Sequence, residues 1–152
     1  MATVSLKHVV LYCNRLLRPD ELEDYERAAN GLQVENRGTI SRIGATVDAS
    51  LATVKLAVAA KVDLLLVHHG LFWGPTHPWT GKRYELLRVL LDNDLAVYSS
   101  HLPLDGHPRL GNNAQLCRAI GLKTMHPFFF DHGQYIGFQA QARLTRQELA
   151  RR

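Results

Sequence analysis

The sequence predicts an α/β domain in which a largely parallel or mixed sheet is flanked by layers of helices. Three observations carry this prediction. Leu64-Leu65-Leu66-Val67 is an apolar run of strand length that reads as buried on both faces, and it ends in His68-His69-Gly70. A second run, Leu95-Ala96-Val97-Tyr98-Ser99-Ser100, ends in His101. A segment of helical period precedes each run, so two strand–helix–strand units overlap. Such repetition sets parallel strands side by side with helices on the faces.

Taken in order, Val4 to Leu17 has apolar residues at Val4, Leu6, Val9, Val10, Cys13, Leu16 and Leu17, a helical spacing that Pro19 stops. Residues 20–29 are acidic and irregular. Asn30-Gly31 signals a turn, followed by a short strand over Leu32-Gln33-Val34. Ile40 to Val47 predicts a strand ending at Asp48, and Ser50 caps a helix that runs to about Lys61. A loop over residues 70–80 contains Gly74, Pro75 and Pro78, and a helix then carries Tyr84, Leu86, Leu87 and Val89–Leu91 to about Asp92. Pro103, Gly106 and Pro108 keep residues 102–111 irregular. Asn112 or Asn113 caps the next helix, which Gly121 closes. Phe128-Phe129-Phe130 is a short apolar run, and Tyr135 to Ala142 alternates as a strand. Thr145-Arg146-Gln147-Glu148 has the form of a capping box, yet only Leu149-Ala150-Arg151-Arg152 follow. The chain is therefore expected to be the N-terminal part of a longer protein.

The 152 residues suffice for one domain, 1–152, with its own core. Apolar content of 46% and charged content of 21% are those of a soluble globular protein. No apolar run approaches the roughly 20 residues that span a bilayer, and the N-terminus lacks the pattern of a signal peptide. The expected location is the cytoplasm, with no membrane partner. The net charge of +4 is spread along the chain, apart from Arg143, Arg146, Arg151 and Arg152 at the end. No basic stripe interleaves with aromatics, so nucleic acid is disfavoured as a partner. Cys13 and Cys117 lie in helical apolar patterns and read as buried free thiols, with no disulfide framework or cysteine zinc site.

Of eight histidines, five fall between His68 and His107, and this clustering locates the chemistry. In a parallel sheet the carboxyl ends of the strands open onto one edge, where ligands bind. Asp48, His68, His69 and His101 end strands, and Asp105 follows His101 in the next loop. Adjacent strand residues point to opposite faces. One metal ion could use both His68 and His69 only if the backbone turns there, which Gly70 would permit. Otherwise each histidine serves its own ion, with Asp105 helping to hold one. Imidazole with carboxylate suits Zn, Fe or Mn, and two ions about 3.5–4 Å apart would polarise a substrate oxygen and activate a water.

A lone strand-end histidine is more often a hydrogen-bonded structural residue; the combination of His68, His69, His101 and Asp105 is what favours metal. Asp48 reads first as a turn residue, His77 as solvated, and His107 as either loop surface or site rim. His8, His126 and His132 carry no pattern. Trp73 and Trp79 read as packing rather than substrate stacking. Gly70, Gly74 and Gly81 form no phosphate cradle, and no serine or cysteine stands in a nucleophile elbow.

Four motifs, in order and spacing, resemble the NGG-one interacting factor three family: Asn30-Gly31-Leu32-Gln33-Val34-Glu35, Val67-His68-His69-Gly70-Leu71-Phe72-Trp73, His101-Leu102-Pro103-Leu104-Asp105 and Leu110-Gly111-Asn112-Asn113-Ala114-Gln115-Leu116. Its members are often labelled GTP cyclohydrolase type 2 homologues. The resemblance runs from about residue 5 to 142. It implies an α/β fold, a homohexameric ring and a dinuclear centre of two divalent ions (Zn, Fe or Mn). His68, His69 and Asp105 map to metal ligands, and His101 maps to a histidine beside the metals, suited to proton transfer. The implied function is a metal-dependent hydrolase of a nucleotide or phosphate ester, with the small-molecule substrate unnamed. The alternative is a metal-binding oligomeric protein whose assembly is its function, and structural histidines without metal are the third reading. Family members draw the remaining ligands, a histidine and a glutamate, from a segment near their C-terminus. Nothing after Tyr135 has that form here: Glu148 is the only later acid, and no histidine follows His132. The resemblance thus implies half a site that holds metal weakly on its own.

Overall fold

The computed structural model describes residues 2–72, 74, 75 and 77–152. The chain runs β1 (Val4–Ser5), α1 (Leu6–Leu17), β2 (Gly31–Val34), β3 (Thr39–Ile40), β4 (Ile43–Asp48), α2 (Leu51–Ala59), β5 (Leu64–His69), α3 (Lys82–Asp92), β6 (Ala96–Ser99), α4 (Leu102–Asp105), α5 (Asn112–Ala119), β7 (His126–Asp131), β8 (Gln134–Gln139) and α6 (Arg146–Ala150). The main sheet has the order β2-β6-β5-β4. Strands β4, β5 and β6 are parallel, and β2 joins β6 antiparallel, so the predicted layered α/β architecture is observed with a mixed sheet. Two small antiparallel pairs, β1 with β3 and β7 with β8, stand apart from it.

Strand alternation decides which helix covers which face. Leu65, Val67 and Val97 point one way and pack with Val54 and Ala57 of α2 and Leu90 of α3. Leu64, Ala96 and Tyr98 point the other way and pack with Leu6 and Cys13 of α1 and with Ile40. Both faces of β5 and β6 are thus covered, which is why these strands read as nearly continuous apolar runs. Tyr98 is fully buried and donates its hydroxyl to Asn14 Oδ1 at 2.9 Å. Burial pushes its phenol pKa up, so the hydroxyl stays protonated and keeps donating.

Helix ends follow local chemistry. Ser5 and Ser50 cap α1 and α2, and Ser50 forms a reciprocal box with Thr53. Arg18 closes α1 in the left-handed region just ahead of Pro19. Thr145 and Glu148 make both bonds of their capping box at the start of α6.

Four expectations are corrected. Val4 lies in β1, and the helix begins two residues later. The strand predicted from Ile40 to Val47 is interrupted at Ser41 and Arg42, because the Asp63 carboxylate accepts hydrogen bonds from both of their backbone N–H groups and from Ser41 Oγ. The predicted irregular stretch 102–111 contains α4, whose Pro103 occupies the first turn, where no N–H is needed. The cap of α5 is Gly111 rather than Asn112 or Asn113. A side chain at Gly111 would collide with the carbonyls of Leu104 and His107, and the two asparagine side chains are used elsewhere. Cys13 is buried and Cys117 half-buried, both free. No helix among the described residues is long and apolar enough to cross a membrane.

Candidate metal centre

The carboxyl edge of the parallel strands gathers the predicted residues. Asp48 ends β4 beside His69 at the end of β5, and β6 ends at Ser99, two residues before His101. Two backbone bonds and one side-chain acceptor lock this edge: Ala49 N–H to His69 O at 3.0 Å, Ser100 N–H to Val67 O at 3.0 Å, and His101 N–H to Asn30 Oδ1 at 2.7 Å. The imidazole centroids of His68 and His69 are 4.7 Å apart, those of His68 and His101 4.8 Å, and those of His69 and His101 5.6 Å. One potential ligand atom from each lies within 4.8 Å of the others. The paired histidines therefore share one cluster although they are neighbours on a strand.

Each ring is oriented by its Nδ1. His68 Nδ1 lies 3.0 Å from Ser100 O, His69 Nδ1 2.7 Å from Asp48 Oδ1, and His101 Nδ1 2.8 Å from Asp24 Oδ1. A carbonyl or carboxylate only accepts, so Nδ1 carries a proton in all three and Nε2 is the nitrogen turned to the cluster. Metal-ligating histidines are held in this way. Burial holds the His68 pKa below its ordinary value, against the opposing pull of Ser100 O and Asp105, so its ring is neutral at pH 7. His68 Nε2 then faces Asp105 Oδ2 at 3.5 Å, lone pair to carboxylate. Two acceptors at that spacing repel unless a cation sits between them. Two ligands of one tetrahedral ion, each about 2.1 Å from it, would stand about 3.4 Å apart. The donor set therefore fits a divalent metal. Asp105 Oδ1 is oriented by Asn112 Nδ2 at 3.0 Å.

Sequence reasoning missed what supports the histidines. Asp24, in the stretch read only as acidic and irregular, is almost fully buried and accepts from His101 Nδ1, Tyr25 N–H, Asn30 Nδ2 and Leu102 N–H. Burial alone would raise its pKa, but these hydrogen bonds outweigh it and hold the carboxyl below its usual range. Asn30, read as a turn signal, holds both Asp24 and the His101 backbone. Gln33 accepts from Leu71 N–H at 2.7 Å and donates to Ala29 O at 2.6 Å. A side chain at Gly70 would collide with the Gln33 amide, so Gly70 serves close approach here, and β5 remains a strand through His69.

The other candidates separate cleanly. Asp48 orients His69. His107 donates Nε2–H to Leu16 O at the end of α1 and accepts from Arg109 and Leu110 N–H at Nδ1, which makes it structural. His8 pairs with the Ser5 hydroxyl, and His126 lies on β7. His132 packs edge-on against Tyr25, whose ring is 5.9 Å from His101. Trp79 meets Phe72 and is 40% exposed. Trp73 lies outside the described residues.

Comparison with known proteins agrees with the motifs. The sequence model of the Duf34/NIF3 (NGG1p interacting factor 3) family matches residues 4–152. A GTP cyclohydrolase 1 type 2 homolog of Deinococcus radiodurans is 48% identical over 108 residues, 71% of this chain and 41% of that protein. One of Neisseria meningitidis serogroup A is 48% identical over 126 residues, 82% of this chain and 50% of that protein. The crystal structure of TTHA1606 from Thermus thermophilus superposes with a TM-score of 0.78 at 38% identity, covering 86% of this chain and 53% of the other. The chain thus spans about half the length of the curated relatives it matches.

Proposed function

This chain belongs to the Duf34/NIF3 (NGG1p interacting factor 3) family, and on that premise we propose that it binds divalent metal for the hydrolysis of a nucleotide or phosphate ester. The observation that carries this reading is the arrangement of three imidazoles, each with an acceptor at Nδ1, around the facing pair of His68 Nε2 and Asp105 Oδ2. His68, His69 and Asp105 are the proposed ligands, and Zn, Fe or Mn suits them. Two such ions, when bound, supply Lewis acidity at the sheet edge. His101 is the proposed proton carrier: its Nε2 accepts a proton while Asp24 at Nδ1 stabilises the imidazolium. The 4.8 Å approach of the His101 ring to His68 favours a second reading, in which Nε2 is a third nitrogen ligand in place of a proton carrier. The name carried by the relatives makes nucleotides the first compounds to test.

Elemental analysis of purified protein tests the centre. Zn, Fe or Mn accompanies the wild type and is lost from the His68→Ala/His69→Ala variant; equal metal content in both rejects it. Hydrolysis of nucleotides and phosphoesters with added Mn or Zn tests the reaction, and activity that survives Asp105→Ala rejects a two-ion mechanism. A homohexamer is part of the proposal, and light scattering that finds only monomer rejects it.

A further inference from the structure

We propose that the cleft beside the metal centre binds a flat aromatic ring carrying a phosphate, such as a nucleoside monophosphate, with Phe72 and Trp79 taking the ring and Arg27 and Arg83 the phosphate. The cleft encloses about 290 Å³ and is lined chiefly by Arg27, Leu71, Phe72, His77, Trp79 and Arg83. That volume is at the lower end for small-molecule sites, about 300 Å³, with room for one ring system and its phosphate. The Phe72 and Trp79 rings meet at 76° with centroids 6.2 Å apart and form an open corner. They remain 39% and 40% exposed. A flat ring entering this corner stacks on one aromatic and meets the edge of the other, both favoured geometries.

The walls are cationic. Arg27 pairs through Nε with the exposed Glu26 at 3.4 Å, and its side chain stays more than half exposed at the cleft. Arg83 makes no ion pair among the described residues, while the nearby Glu85 is taken by Lys55 at 2.6 Å. Helix α3 opens with Lys82 and Arg83 behind Gly81, which supplies no side-chain cap. Cations at the positive end of a helix are unfavourable, and a bound phosphate reverses the sign of that interaction.

Both walls are tied to the metal centre. Phe72 is three residues from His69, so their Cα atoms are at most about 11 Å apart. Arg27 is two residues from Tyr25, whose ring neighbours His101. The Ala29 N–H bonds Phe72 O at 3.4 Å and joins the two segments. The proposal rests on the reading of the site as a metal-dependent hydrolase and names the ligand that hydrolase would hold.

Calorimetry on the whole chain, with chelator and again with Zn, tests it with three probes: adenosine 5′-monophosphate, adenosine and inorganic phosphate. The monophosphate binds more tightly than either fragment. Arg27→Ala and Arg83→Ala each weaken it about tenfold and leave adenosine unchanged. Trp79→Leu weakens monophosphate and adenosine alike and leaves phosphate unchanged. Circular dichroism checks that each variant folds, and Arg83→Lys restores part of the loss. Monophosphate that binds no better than adenosine, or equally well to the Arg27→Ala/Arg83→Ala variant, overturns the proposal. Metal content of the same samples separates the two readings. Monophosphate binding without any metal uptake keeps the cleft and rejects the centre. Metal uptake with no monophosphate binding does the reverse.

Discussion

Replacing Asp24 by Asn puts the support of the cluster to a quantitative test. Each carboxylate oxygen of Asp24 serves two donors: Oδ1 takes His101 Nδ1 and Tyr25 N–H, and Oδ2 takes Asn30 Nδ2 and Leu102 N–H. An asparagine presents an NH₂ group to one pair whichever way it is turned, so two of the four donors lose their acceptor. At about 1.5 kcal/mol for each hydrogen bond to a charged group, the loss is about 3 kcal/mol. With a urea m-value of about 2 kcal/mol/M, the midpoint falls by about 1.5 M. When the NH₂ faces His101, the imidazole can match it only by moving its proton to Nε2, which removes the lone pair at the cluster. Metal affinity, read by competition with a chromophoric chelator, then falls about 10- to 100-fold. A variant with an unchanged midpoint and unchanged affinity refutes the role assigned to Asp24.

Three further outcomes follow from the same structure. Gly70→Ala displaces the Gln33 amide and costs about 2 kcal/mol through its two hydrogen bonds; if the loss is no smaller in a Gln33→Ala background, the collision is not its cause. Leu90→Ala, at a side chain 1% exposed between α3 and the sheet, costs about 2–5 kcal/mol in chemical denaturation, and a loss below that range contradicts the packing described. Burial opposes ionisation of Asp63, but the Ser41 N–H, Ser41 hydroxyl and Arg42 N–H outweigh it and depress the folded-state pKa. Its contribution is therefore full above the unfolded value near 3.9 and is lost as pH falls through the folded value. Stability measured from pH 6 downward declines less steeply in Asp63→Asn than in the wild type; parallel curves contradict this.

The fold was legible where one property repeated. The apolar runs at 64–67 and 95–98 and the helices around them needed only period and length, because burial on both faces removes polar alternatives. The strand-end histidines were legible for the same reason: a sheet edge places the ends of neighbouring strands together whatever the loops do. What was not legible was long-range and polar. Asp24 sits 77 positions before His101 in an irregular stretch, and nothing local marks it as that residue's partner. Gly70 read only as a residue that would permit a turn, because the residue it makes room for, Gln33, lies on another segment. The break at Ser41 depends on Asp63, again distant in sequence. Adjacent histidines pointed, by alternation, to separate faces, yet their rings share one cluster because each is drawn by its own Nδ1 acceptor, Ser100 or Asp48.

The most direct test of the metal centre is an anomalous difference map from a crystal of this chain grown with Zn. The account predicts a peak about 2.1 Å from His68 Nε2 and from Asp105 Oδ2, with His68 Nδ1 still bound to Ser100 O. A map without density between these two atoms, or with zinc on Nδ1 of the histidines, would contradict it.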